Sequence, residues 1–178
     1  MLSSSRSSVA PETRYVGPAW WHAGLILLVA LVFQMTVAHL LTFREAVPSA
    51  ILVAVVWYGI RVDARRAAIF GLAAGLCEDL LATGTGGSWT VSTTVVAATV
   101  GLVSGNFFAD SLPLAAATAA LATLARNAIF WVMMGAEGYP PGLGTLHFHQ
   151  TLWQALLDAA LIVVAMLLAR WRENYITR

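Results

Sequence analysis

Four ionisable residues sit inside apolar sequence: Glu78, Asp79, Arg126 and Asp158. A charge in hydrocarbon is costly, so such residues face a bundle interior or a water-filled cavity. There they lock helices together, relay protons, hold a polar ligand or meet a partner. Arg126 is the one cation available to balance three acids. The other chemistry-bearing patterns are weaker. His147-x-His149 offers two metal ligands with no third in reach. Gly87-Ser88 has the outline of a serine-nucleophile turn, but no histidine falls in a later span to serve as base. There is no phosphate-binding GxxxxGK[ST] loop, and the single Cys77 excludes a disulfide or a Cys-pair metal site. The expectation is therefore no catalytic residue, no metal and no cofactor.

The elements that hold the four charges must be membrane helices. The chain is 59% hydrophobic and 11% charged, where a soluble domain carries about 25% charged residues. Its mean hydropathy is +0.76. The net charge of +1 gives no reason to expect nucleic acid. All of the basic residues are arginine. Residues 1–18 are rich in Ser, with Pro and charges, and read as a disordered cytoplasmic tail. Residues 19–178 read as one all-α, polytopic bundle of six transmembrane helices. The expected spans are 20–41, 46–60, 64–82, 88–109, 113–134 and 151–170. The second is short for a bilayer of about 30 Å. With the N-terminus inside, Arg6, Arg14, Arg61, Arg65, Arg66, Arg170, Arg172 and Arg178 fall on the cytoplasmic side and only Arg44 outside. That asymmetry obeys the positive-inside rule and needs an even number of spans, with both termini cytoplasmic. The longest outside loop is then residues 135–150. No internal repeat is present, which disfavours an inverted-repeat transporter.

Residues 64–87 are the stretch around which the rest is arranged. On a helix, Ala64, Ala68, Gly71, Gly75, Glu78, Asp79 and Ala82 share one face, small enough to meet another backbone. Thr90, Thr94, Ala97, Ala98, Gly101 and Gly105 form a matching stripe. Gly71/Gly75 and Gly101/Gly105 are expected to pack helices within the bundle. Ala115, Ala119, Ala122 and Thr123 flank Arg126; Thr151, Gln154, Ala165 and Ala169 flank Asp158. At about 1.5 Å per residue, all four charges reach similar depth in the outer half. The simplest reading is one paired cluster locking the third, fifth and sixth helices; a ligand or proton site and a partner contact are the alternatives.

Pro48, the Gly59-Ile60-Arg61 turn, Gly71-xxx-Gly75-xxx-Asp79, Gly84-Thr85-Gly86-Gly87 and Gly101-xxx-Gly105 together resemble the rod shape-determining protein MreD family. Ser49 departs from the acidic residue or Asn common after the proline, and Arg126 and Asp158 match no family motif. The resemblance implies a non-enzymatic integral membrane scaffold of the bacterial cell-elongation machinery, in the inner membrane. Its implied partners are MreC first, then the actin-like MreB, RodA and a class B penicillin-binding protein. The alternative is the substrate-binding subunit of an energy-coupling-factor vitamin transporter, in which the four charges hold a polar vitamin. Asp79 alone of the four matches the family pattern. Asp79→Leu is therefore expected to impair assembly more than Glu78→Leu, as read by membrane yield and partner binding.

Overall fold

A computed structural model describes residues 19–82, 85–104, 111–138 and 144–176. The tail of residues 1–18 and Gly105 lie outside them. The described residues form an all-α fold: α1 Trp20–Thr36, a 3-10 turn Ala38–Leu41, α2 Ala50–Gly59, α3 Ala64–Leu81, α4 Ser88–Ser104, α5 Leu112–Ala136 and α6 Gly144–Ile176. Two of these helices, α5 and the stretch Leu146–Arg172 of α6, are long and apolar enough to cross a membrane.

The central element is α2. Nine of its ten residues are buried, Trp57 being the exception. Its sequence AILVAVVWYG is apolar all round, the mark of a helix enclosed by protein. Leu52, Val53, Val56 and Ile60 enter a core with Val100 of α4, Ala119 of α5 and Ile162 of α6. Ile51, Val55 and Tyr58 enter a second core with Ala23 of α1 and Phe70 and Ala74 of α3. Helix α3 is thus one wall of the bundle, and α2 is its axis. A 10-residue helix is about 15 Å long, too short to cross. Residues 46–49 precede it without helical structure and are buried at Ala46, Pro48 and Ser49. Such irregular backbone survives at depth only inside protein.

The most extensive helix interface joins α3 to α4. A Cβ on Gly71 would collide with the Cβ of Ala97 and come within 2.9 Å of the Thr93 carbonyl; one on Gly75 would lie 2.6 Å from the Thr90 Cα. One on Gly101 would lie 2.7 Å from the Ala64 Cα. The glycines therefore let two backbones touch. Gly86 and Gly87 turn the chain between these helices at φ +55° and +91°, values that suit glycine.

Two expectations change. Residues 144–150 of the anticipated outside loop are helical and belong to α6, because GTLHFHQT carries no helix breaker after Gly144. On α6 the buried stripe is Thr151, Ala155, Asp158, Ile162 and Met166 rather than the one through Ala165 and Ala169. The large residues Ile162 and Met166 fill the space beside the alanine face of α5, Ala115, Ala119 and Ala122, where further alanines would leave a void.

Gly75→Ala forces α3 off α4 and should cost about 1–3 kcal/mol, seen as a lower midpoint in thermal unfolding followed by tryptophan fluorescence in detergent. A Cβ on Gly24 meets nothing within 4 Å, so Gly24→Ala should leave the midpoint unchanged or raise it. Equal midpoints for the two variants would show that the close α3–α4 approach does not exist.

Candidate functional site

The N-terminus of α2 lies in the middle of the bundle, where no water is at hand for its free N–H groups. Three side chains from three places supply acceptors. The Ser49 N–H donates to Asp158 Oδ1 of α6 at 2.6 Å. The Ala50 N–H donates to Gln34 Oε1 of α1 at 2.7 Å. The Leu52 N–H donates to the Ser49 hydroxyl at 3.2 Å, a serine N-cap. Asp158 is fully buried, and its second oxygen accepts from the Thr123 hydroxyl of α5 at 2.8 Å.

Arg126 of α5, only 2% exposed, pairs with Glu78 of α3 at 2.8 Å. The same nitrogen donates to the Ser49 hydroxyl at 3.3 Å, so Ser49 joins the Arg126–Glu78 pair to Asp158. The Thr93 hydroxyl of α4 donates to the other Glu78 oxygen at 3.0 Å. The guanidinium also lies over the Trp89 ring at 4.8 Å, an attraction between cation and ring face. One network thereby ties α2, α3, α4, α5 and α6 at one level.

Asp79 is turned away from it. Its carboxylate accepts from the Thr85 hydroxyl at 2.7 Å, the Trp89 N–H at 3.3 Å and the Thr90 N–H at 2.8 Å, and from the Thr90 hydroxyl. It is a cap for the N-terminus of α4, delivered from the preceding helix, and it closes the α3–α4 hairpin. Adjacent residues on a helix point about 100° apart, so Glu78 and Asp79 serve different sites. Of the four anticipated charges, the structure joins Glu78, Arg126 and Asp158 and sets Asp79 apart. Gly71, Gly75 and Gly101 hold α3 and α4 close enough for Thr93 to reach Glu78 and for Thr90 to reach Asp79.

Sequence reasoning missed Ser49, Gln34 and Thr93 as members of this network. Pro48-Ser49 ahead of an apolar run carried the signal of a helix start, yet nothing local placed that start in the bundle interior. His147 stacks on Trp131 at 4.0 Å and bonds Gln150 at 3.1 Å. No group of three metal-ligating side chains occurs among the described residues. What the arrangement does chemically is satisfy charges and helix ends, with Asp158 and Arg126 closed off from any open surface.

Compared with known families, the chain matches the model of rod shape-determining protein MreD over residues 18–173. No curated protein and no solved structure matches it.

The geometry reverses the expected order of the two acids for folding. Glu78→Leu strands Arg126 in the core and should cost about 3–5 kcal/mol; Asp79→Leu removes a half-buried cap and should cost about 1–2 kcal/mol. Denaturant titrations of both variants in detergent check the order, and a larger loss for Asp79→Leu would refute it. Glu78→Leu with Arg126→Met should lose less than the sum of the single variants. For Asp158, the asparagine keeps an acceptor for the Ser49 N–H and should unfold near the wild type. Asp158→Leu leaves that N–H unmet, at about 1–3 kcal/mol.

Proposed function

The chain belongs to the rod shape-determining protein MreD family, and we propose that it is a non-enzymatic scaffold of the bacterial cell-elongation machinery. In this reading it is a multi-pass inner-membrane protein of six spans with both termini cytoplasmic, and residues 1–18 form a cytoplasmic tail. It acts on cell shape and peptidoglycan synthesis by binding MreC, with MreB, RodA and a class B penicillin-binding protein as associated partners.

The observation that carries the proposal is the use of the intramembrane polar groups. Glu78, Arg126, Asp158, Thr93, Thr123 and Ser49 bond one another and the end of α2. A reaction centre or a vitamin site needs such groups to face an open cavity; these groups face each other. The network makes a stiff core, and a scaffold needs a stiff core to present its outer faces in fixed relation. Those faces are rich in apolar side chains: Leu28, Val29 and Val32 on α1, Leu72 and Leu76 on α3, Leu121 and Val132 on α5. They suit contact with lipid or with the helices of another membrane protein.

Tagged protein should co-purify with MreC from native membranes. Enrichment no greater than that of an unrelated six-span control would count against the proposal. Arg126→Leu should lower MreC recovery in proportion to its lower membrane yield, because the core acts on partners only through folding.

A further inference from the structure

Where α5 ends and α6 begins, the bundle opens into a cleft of about 280 Å³. Its lining combines the rings of Trp89, Phe130 and Trp131 with the amides of Asn127, Gln150 and Gln154, together with Thr151 and His147. None of this lining is a carboxylate, an arginine or a lysine. The Asn127 amide donates to Gln154 Oε1 at 2.9 Å. This leaves Asn127 Oδ1 as an acceptor and Gln154 Nε2 as a donor, fixed relative to each other by the bond between them. The aromatic part is rigid: Phe130 stacks on Trp89 at 4.0 Å and meets Trp131 edge-on at 5.4 Å.

We propose that this cleft binds one uncharged sugar ring presented at the membrane surface. A hydroxyl is donor and acceptor at once, so neighbouring sugar hydroxyls complement a fixed amide pair that offers one of each. The C–H bonds of a pyranose ring pack on indole and phenyl edges as other apolar groups do. The volume, just under the roughly 300 Å³ at which small-molecule sites begin, admits one ring. Position agrees. The cleft's α6 residues, His147, Gln150, Thr151 and Gln154, all come from the first three turns of that helix, where its polar residues are concentrated. Charge agrees as well. The buried groups nearest the cleft are Arg126, behind Trp89, with Glu78 and Asp158 attached. Together they leave no positive excess for an anion, and the one carboxylate bonded to the lining, Glu45 on Gln150 at 3.5 Å, is exposed to solvent rather than turned into the cleft's wall. An acyl chain would leave Asn127 Oδ1 and Gln154 Nε2 unmet.

The test is saturation-transfer NMR on the full chain in lipid nanodiscs, prepared without glycoside detergents. The probes are methyl glucoside and N-acetylglucosamine, against glucuronate, glucosamine and N-acetylalanine methylamide. Transfer to the two neutral sugars is expected, several-fold above transfer to either charged sugar, and at least five-fold weaker in Gln154→Leu. Gln150→Leu, at the half-exposed edge of the cleft, repeats the comparison should Gln154→Leu fail to fold, with thermal unfolding reporting on both. Unchanged transfer in a folded variant overturns the proposal, as does equal transfer to glucuronate. Transfer to the methylamide alone also overturns it and assigns the cleft to a peptide.

Discussion

The hydrogen bond from the Ser49 backbone to Asp158 is the contact on which this architecture depends. A helix that begins in the interior of a membrane bundle exposes N–H groups with no water to receive them, and each unmet group costs about 1–3 kcal/mol. A carboxylate answers this best, because it accepts strongly and sits at the positive end of the helix dipole. Once Asp158 is committed to α2, the face of α6 is set. Thr123 completes the carboxylate and brings α5 alongside. Gln34 does for the next N–H what Asp158 does for the first, and so seats α1.

The Arg126–Glu78 pair follows from the same constraint. A buried carboxylate at Asp158 invites a cation nearby, and Arg126 supplies it through Ser49 rather than by direct contact. Arg126 in turn requires a carboxylate of its own, which is Glu78. One guanidinium nitrogen reaches both Glu78 and Ser49 while the group rests over Trp89, an aromatic contact that suits arginine. The result resembles a keystone more than a reaction centre: each charge is held by helices that would otherwise have no reason to keep this register.

Much of this was legible residue by residue. The spacing of Gly71 and Gly75 and the run Ala115, Ala119, Ala122, Thr123 mark faces that the structure buries, whereas of the small stripe expected on α4 only Ala97 is buried and the buried face runs through Ser92, Thr93, Val96, Ala97 and Val100. Helical periodicity identifies such faces because side chains three and four apart share one side. The matching position of Glu78, Arg126 and Asp158 along their helices was also readable, since rise per residue is constant, and the three meet in one network. Position along a helix does not give azimuth, however, and so Asp79 was counted with residues from which it points away. Ser49 was noticed only as a departure from a family pattern; that it stands between Arg126 and Asp158 depends on residues 77 and 109 positions away.

The sequence by itself determined that this chain is helical and apolar, which segments are apolar, which faces are small and which charges lie within apolar segments. These are properties of composition and local period, and neither needs knowledge of the neighbours. Only the tertiary structure decided that α2 is the axis, that its first N–H groups are received by Asp158 and Gln34, and that Arg126 chooses Glu78. Those are pairings between elements far apart in the chain, selected by which groups find partners when water is excluded. No local pattern encodes that selection, because a single helix cannot know which of its neighbours will end inside the bundle.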